Sequence, residues 1–271
     1  MENRIQGKVI LITGASAGIG KACAEKLAAS GASLILAARR LDRLHNIRQE
    51  LSERYRVAID VFTLDVRDRT AVETFSRQLK DQDLIPDILI NNAGLASGLD
   101  PLQSGNFEDW DRMIDTNIKG LLNVSRFIIP MMVEAGHGHV VNVGSLAGYQ
   151  VYPKGNVYNA TKFAVRALSE GMNIDLAGTA IRVSMVCPGA ANTEFSEVRF
   201  HGDREAAKKF YEGFTPLSAE DVAEAIFFII NAPAHVNIQN ILLTPTAQRN
   251  VYCVDRTTNT NPHARHGHNE V

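Results

Sequence analysis

Tyr158 and Lys162 stand four residues apart in the run Asn156-Val157-Tyr158-Asn159-Ala160-Thr161-Lys162, and Ser145 lies thirteen residues before the tyrosine. On a helix, that spacing puts the phenol and the ammonium on one face. A phenol with an ordinary pKa near ~10 is a poor proton carrier at neutral pH. A cation close to it favours the phenolate and makes proton exchange with a substrate oxygen practical. The Ser145 hydroxyl would hold the same oxygen. Such a trio suits the reversible conversion of an alcohol into a carbonyl. Alone, a Tyr-x-x-x-Lys pair usually marks a solvated helix edge, so its meaning depends on the elements around it.

The N-terminal region supplies the complementary chemistry. Lys8-Val9-Ile10-Leu11-Ile12 is a short apolar, β-branched run that reads as a buried parallel strand. It leads into Thr13-Gly14-Ala15-Ser16-Ala17-Gly18-Ile19-Gly20, and Ala22, Ala24, Leu27 and Ala28 then follow a helical period. Strand, glycine-rich turn and helix in that order make a phosphate cradle. The glycines admit a pyrophosphate to the backbone, and the helix N-terminus carries partial positive charge. The spacing is Gly-x-x-x-Gly-x-Gly rather than the commoner Gly-x-Gly-x-x-Gly dinucleotide fingerprint.

These residues, with Asn91-Asn92-Ala93-Gly94, Asn117 and Pro188-Gly189, stand in the order and spacing of the short-chain dehydrogenase/reductase family, which the chain resembles from residue 8 to about 245. The run from Thr193 to Asp203, with Phe195, Ser196, Val198, Arg199, Phe200 and Gly202, further resembles the branch of NADP-dependent 3-hydroxy acid dehydrogenases that oxidise serine and allo-threonine. The resemblance implies Tyr158 as general acid/base, Lys162 as the group that lowers its pKa and binds the nicotinamide ribose, and Ser145 as the residue that orients the substrate oxygen. It implies for Asn117 a water linking Lys162 to solvent. For an NADP(H) cofactor it implies contacts from Gly14, Ser16, Gly18, Ile19, Gly20, Arg39, Arg40, Asp65, Val66, Asn92, Ala93, Gly94, Tyr158, Lys162, Pro188, Gly189 and Thr193. It also implies a mobile substrate lid over about 190–216 and a homotetramer. Asn91 reads as a brace between central strands.

The second strand ends Leu36-Ala37-Ala38-Arg39-Arg40. An NAD enzyme places an acid here to receive the ribose hydroxyls. Ala38 holds that position, Arg39 follows, and a guanidinium suits a 2′-phosphate, to which Ser16 would add a hydroxyl. The plainer alternative is that Arg39 and Arg40 open a solvated helix with Asp42 and Arg43. For Asp65, after the third strand, the resemblance implies contact with the adenine amino group, its alternative being a cap for the helix beginning at 69.

Strand-like runs at 8–12, 33–38, 58–64, 87–91, 138–143 and 181–186 alternate with helical ones near 18–30, 40–54, 69–81, 108–133 and 157–177. A helix at 220–231 and a strand at 240–243 follow. Alternation at this spacing predicts an α/β fold: a doubly wound parallel sheet of Rossmann type between two helical layers, with ligands beyond the carboxyl ends of the strands. No linker rich in Pro, Gly or Ser divides the chain, so residues 1–256 form one domain, and the polar residues 257–271, including His263, His266 and His268, form a disordered tail rather than a metal site.

Composition narrows the functions. A hydrophobic content of 45% with 21% charged residues fits a globular domain, and a formal net charge of −2 gives no reason to expect nucleic acid or an anionic membrane as partner. No apolar run approaches the ~18–20 residues needed to cross a bilayer, and no signal peptide is expected before the first strand. Cys23, Cys187 and Cys253 lack metal-ligand spacing and read as reduced cytoplasmic thiols. Three functions remain open. The first is an NADP-dependent dehydrogenase of a small 3-hydroxy acid, such as serine, allo-threonine or 3-hydroxyisobutyrate. The second is a carbonyl or 3-oxoacyl reductase with a greasier substrate, and the third a catalytically silent NADP(H) sensor. A free carboxylate needs a fixed cation near Tyr158, for which Arg199, Lys154 and Gln150 are the candidates. All three equally suit a solvated surface.

Overall fold

The chain is described here by a computed structural model of residues 2–257. The expected disorder from Thr257 onward and the tail histidines fall, apart from Thr257 itself, outside the described residues. Seven strands, β1 (Val9–Thr13), β2 (Ser33–Ala38), β3 (Ile59–Thr63), β4 (Ile88–Asn91), β5 (Gly138–Val143), β6 (Ile181–Pro188) and β7 (Asn240–Leu243), form one sheet. All are parallel, in the order β3-β2-β1-β4-β5-β6-β7. The strand order reverses between β1 and β4, and the crevice that this opens beyond their carboxyl ends is where a doubly wound sheet binds ligands.

Helices cover both faces. On one side α1 (Gly18–Ala29), α2 (Leu41–Tyr55) and α9 (Ala219–Ile230) bury Ala24, Leu27, Leu44, Ile47, Ile226 and Ile229 against Ile10, Ile12, Leu34 and Leu36. On the other, α3 (Arg69–Asp81) and α5 (Leu121–Glu134) pack Val72, Phe75, Leu79, Val124 and Ile128 against Leu11, Ile35, Leu89 and Val140. Alternate residues of one strand thus serve opposite cores, which is why the strands are apolar throughout rather than alternating. Each fully buried Ile or Leu side chain contributes about 1.5–3 kcal/mol of burial. Asn91 is one of a few buried polar exceptions, with Thr13, His139, Asn142 and Ser184. Its Nδ2 donates to Asn142 Oδ1 at 2.9 Å and to Ser125 Oγ at 3.2 Å, joining β4 to β5 and α5 as the brace that its position suggested.

The expected single helix over 108–133 is two helices, α4 (Phe107–Ile114) and α5, joined without a break by a π-helical segment at Asp115–Gly120. Apolar periodicity does not register one extra residue per turn, so the sequence pattern ran the pieces together. The insertion has a consequence for the site, since wide turns of this kind concentrate at functional positions. It carries Asn117 inward, where the residue is buried. The segment 190–216, which broke the βα rhythm, contains two short helices, α7 (Glu194–Arg199) and α8 (Arg204–Phe210). Thr193 and Asp203 cap them by accepting from Phe195 N and Ala206 N. The remaining long helix, α6 (Asn156–Asp175), carries Tyr158 and Lys162 on its first turns.

Candidate active site

A cleft of about 570 Å³ opens at the carboxyl ends of the strands. All the residues expected to contact a dinucleotide line it, with the exception of Gly20. At its floor the glycine turn is fixed by two neighbours. Thr13 Oγ1 accepts from Asn92 N and Ala93 N, both at 3.1 Å, and Asn92 Nδ2 donates to the carbonyls of Thr13 at 2.9 Å and Gly14 at 3.2 Å. The Asn92 side chain therefore shapes the turn as well as lining the cleft. Gly14 and Gly18 have φ of +66° and +52°, and a Cβ at Gly20 would lie 2.5 Å from the Gly14 carbonyl oxygen. The third glycine is thus required by packing of helix on turn. No side chain caps α1, so its first N–H groups, which have no partner within the helix, are available to an anion. A pyrophosphate fits this arrangement.

At the rim, Arg39 and Arg40 are exposed at the end of β2 and line the cleft, and Arg40 Nε donates to Ser16 Oγ at 3.2 Å. Asp65 also lines the cleft. It is not the cap of α3, a role that Asp68 takes by accepting from Ala71 N. Asp65 instead pairs with Arg67 at 2.6 Å, and the Arg67 hydrogen bond holds its carboxyl below the usual carboxylate range.

At the inner end, Ser145 follows β5. Its Oγ accepts from Ala147 N at 3.0 Å and lies 3.4 Å from the Pro188 carbonyl. Tyr158 is almost wholly buried, and burial pushes its phenol well above the ordinary value against the opposing hydrogen bond from Ser145. Lys162 is buried as well, its Nζ donating to the Val143 carbonyl at 2.9 Å and lying 6.0 Å from the centre of the Tyr158 ring. Burial pushes this ammonium down to about 8. Desolvation weighs on both groups, and the cations and donors acting on the phenol are Ser145 and Arg199.

Asn117 lies behind the cleft rather than in its wall. Its Oδ1 accepts from Leu95 N at 2.9 Å, and its Nδ2 donates to the Leu95 carbonyl at 2.8 Å and to Thr161 Oγ1 at 3.0 Å. The side chain thereby ties the loop after β4 to α6, one residue from Lys162.

The three candidates for a substrate cation separate cleanly. Arg199 lines the cleft and is 7% exposed, with its guanidinium 5.5 Å above the Tyr158 ring. It pairs with neither Glu197 nor Asp203. Its Nη2 donates to Tyr152 Oη at 2.7 Å, and its buried Nε has no hydrogen-bond partner. Lys154 and Gln150 are exposed and do not line the cleft, although Lys154 lines a small neighbouring pocket with Tyr158 and Arg199. Lys154 has a left-handed φ of +64°, and Gln150 Oε1 accepts from Val251 N at 3.1 Å. Among the lining residues that escaped the sequence reading, two shape the substrate end and the start of the 190–216 segment. Tyr152 sits between Gln150 and Lys154, and its aromatic ring was the available signal. Gln248 receives the Ala190 amide at 2.8 Å, holding the start of the lid segment, and no local pattern announces it.

Among the described residues, no group of three or more His, Cys, Asp or Glu side chains could hold a metal ion, and no helix is long and apolar enough to cross a membrane. Cys23 and Cys187 are buried, which pushes their thiols up to about 12 and about 11, and Cys253 is exposed.

Comparison with known proteins agrees with this geometry. An NADP-dependent 3-hydroxy acid dehydrogenase of Salmonella typhi is 45% identical over 241 residues, covering 89% of this chain and 96% of that protein. Sulfoacetaldehyde reductase 2 of Chromohalobacter salexigens is 46% identical over 250 residues, covering 92% and 98%. Among solved structures, the closed form of a serine dehydrogenase complexed with NADP+ superposes with a TM-score of 0.86 at 43% identity, covering 90% of this chain and 97% of that one. The family model for the short chain dehydrogenases matches residues 8–203, and with the cradle, the Ser145–Tyr158–Lys162 trio and the sheet order in place, this chain belongs to that family of oxidoreductases.

Proposed function

We propose that the chain is an NADP-dependent dehydrogenase that reversibly oxidises the hydroxyl of a small 3-hydroxy acid of the serine, allo-threonine or 3-hydroxyisobutyrate type. The observation that carries this reading is Arg199: a buried guanidinium above the Tyr158 ring, with an Nε lacking any partner. An unpaired buried donor on a cation is costly, and a small anion delivered to the same spot would satisfy it in bidentate fashion. A fatty thioester would instead meet a charge where it needs an apolar wall. An intact trio argues against a silent sensor.

The residues divide the work. NADP, when bound, supplies the hydride acceptor. The glycine turn, Asp65, Asn92, Ala93 and Gly94 would hold its adenosine and pyrophosphate, with Arg39 and Arg40 on the 2′-phosphate. Ser145 would hold the substrate oxygen and Arg199 with Tyr152 the acid group, which leaves the hydroxyl proton facing Tyr158 Oη. Tyr158 takes that proton in the oxidative direction. Lys162, through its charge and its place beside the trio, would favour the phenolate once the cleft is filled, and Asn117 would place a water toward Lys162.

A second reading has its own support. A guanidinium accepts a sulfonate as readily as a carboxylate, and one relative is named a sulfoacetaldehyde reductase. Initial rates with L-serine, D-serine, L-allo-threonine, 3-hydroxyisobutyrate, 2-hydroxyethanesulfonate and an uncharged alcohol, each with NADP and with NAD, decide among these. Highest kcat/KM on the uncharged alcohol would remove the anionic-substrate reading. The same reading places the enzyme in the cytoplasm, in keeping with three thiols lacking disulfide spacing, and treats it as a homotetramer.

A further inference from the structure

The lid reaches the cofactor end of the cleft through a residue that takes no part in the proposed chemistry. Glu194 opens α7 directly after the Thr193 cap. Its Oε2 accepts from Arg40 Nη1 at 2.9 Å and its Oε1 from Arg43 Nη1 at 2.6 Å. Because Arg40 also donates to Ser16, one guanidinium joins the glycine turn, the start of α2 and the lid. The three side chains are each close to half exposed, so these pairs are wet and exchangeable rather than locked. Burial pushes the Glu194 carboxyl up, but the hydrogen bonds from Arg43 and Arg40 outweigh it and hold the group below its ordinary value. Glu194 is therefore an anion at neutral pH.

Arg40, with Arg39 and Ser16, is among the donors that the proposed site offers to a 2′-phosphate. A carboxylate and a phosphate are alternative occupants of one guanidinium fork, and placing both there brings like charges within a few ångströms. We infer that Glu194 is an internal competitor for Arg40 and so a specificity-determining residue. Its charge lowers the affinity for dinucleotides carrying a 2′-phosphate below what the arginines alone would give, and it leaves those without one untouched. Arg43 provides the carboxylate with a second partner, so that ceding Arg40 does not strand it. The inference rests on the reading of Arg39 and Arg40 as ligands of the phosphate.

Adenosine 2′,5′-bisphosphate and adenosine 5′-monophosphate differ only in that phosphate, and their binding can be measured calorimetrically without turnover. Glu194→Gln keeps the side chain's size at a half-exposed position, and an unchanged melting temperature would establish that it is folded. The expected result is tighter binding of the bisphosphate by about two- to fivefold, the size an exposed ion pair permits, with the monophosphate unchanged and the difference shrinking at high salt. Equal effects on both nucleotides, no effect, or weaker binding of the bisphosphate by the variant would each overturn the competitor role. Arg39→Ala separates the two levels. If wild type fails to prefer the bisphosphate, the phosphate reading fails and takes the inference with it. If wild type prefers it, Arg39→Ala loses that preference and Glu194→Gln changes nothing, the competitor role alone fails.

Discussion

Two buried groups of opposite charge type set the chemistry at the residue scale, and burial disfavours the charged form of each. On the proposed mechanism the Tyr158 proton serves the chemistry, whereas the glycine turn serves cofactor binding. Tyr158→Phe should therefore lower kcat at least tenfold, the lower end of what a positioned acid/base contributes being larger still, while NADPH binding stays within a few-fold. Fluorescence titration beside steady-state rates checks this, and a variant retaining more than about a tenth of wild-type kcat would contradict the assignment. Lys162 gives a prediction about stability. Its folded pKa is pushed down to about 8, so between about 8 and 10.5 the unfolded chain binds a proton that the native chain does not, and stability rises with pH. Below that window the neutralised preference costs about 3 kcal/mol. Tyr158, Cys23 and Cys187 work in the opposite sense above pH 9 or 10, since burial raises their folded pKa values. The clean interval is pH 8 to 9. There the wild type should gain about 1 kcal/mol in urea unfolding relative to Lys162→Met, by the slope of a single proton. Equal pH dependence in the two proteins would mean that the ammonium is not desolvated.

At the scale of elements, the segment 190–216 packs against the trio. Phe195 meets the Tyr158 ring edge-on at 5.6 Å, and the Gly98 amide donates to the Arg199 carbonyl at 3.0 Å, so α7 is seated on the site before any substrate contact. Arg199→Ala should then cost L-serine far more than an uncharged alcohol, about 1.5–3 kcal/mol in kcat/KM for a charge-assisted contact, while Lys154→Ala leaves both unchanged. Equal losses on the two substrates would show that Arg199 only supports the lid. How much of this was legible in the sequence follows from what each signal encodes. The glycine turn, the trio and the strands could be read because their residue types are required by backbone geometry, by proton chemistry and by two-sided burial. The lid helices left only their caps, Thr193 and Asp203, since six- and seven-residue segments have too few turns to show a period. The π-helical turn at Asp115–Gly120 left no signal, because one extra residue does not disturb the apolar pattern on either side. The choice among Arg199, Lys154 and Gln150 was open for another reason. Whether a loop cation turns inward depends on contacts distant in sequence, here Tyr152 and Gly98.

At the scale of the molecule, assembly depends on which apolar residues of α5 and α6 the fold leaves uncovered. Ile128, Met131, Met132 and Val165 are buried in the chain's own core, and Phe127 and Leu168 are partly buried. What remains exposed is more regular. Leu122 and Val133 on α5 are 42% and 40% exposed, and Phe163 and Ile174 on α6 are 39% and 74% exposed. Each pair is separated by eleven residues, just over three helical turns, so each pair lies on one outward face. Phe228 on α9 and Leu242 on β7 are exposed as well, at 52% and 48%. A tetramer of dihedral symmetry needs two distinct faces, each pairing with its own copy about a two-fold axis, and one face alone would stop at a dimer. Sedimentation equilibrium should therefore give four times 29.7 kDa at micromolar concentration. Ile174→Asp, which places an unpaired charge on the α6 face, should reduce the assembly to dimers held by the other face without unfolding the protomer. A wild-type monomer would refute the assembly outright. A variant that remains tetrameric would move the interface off α6.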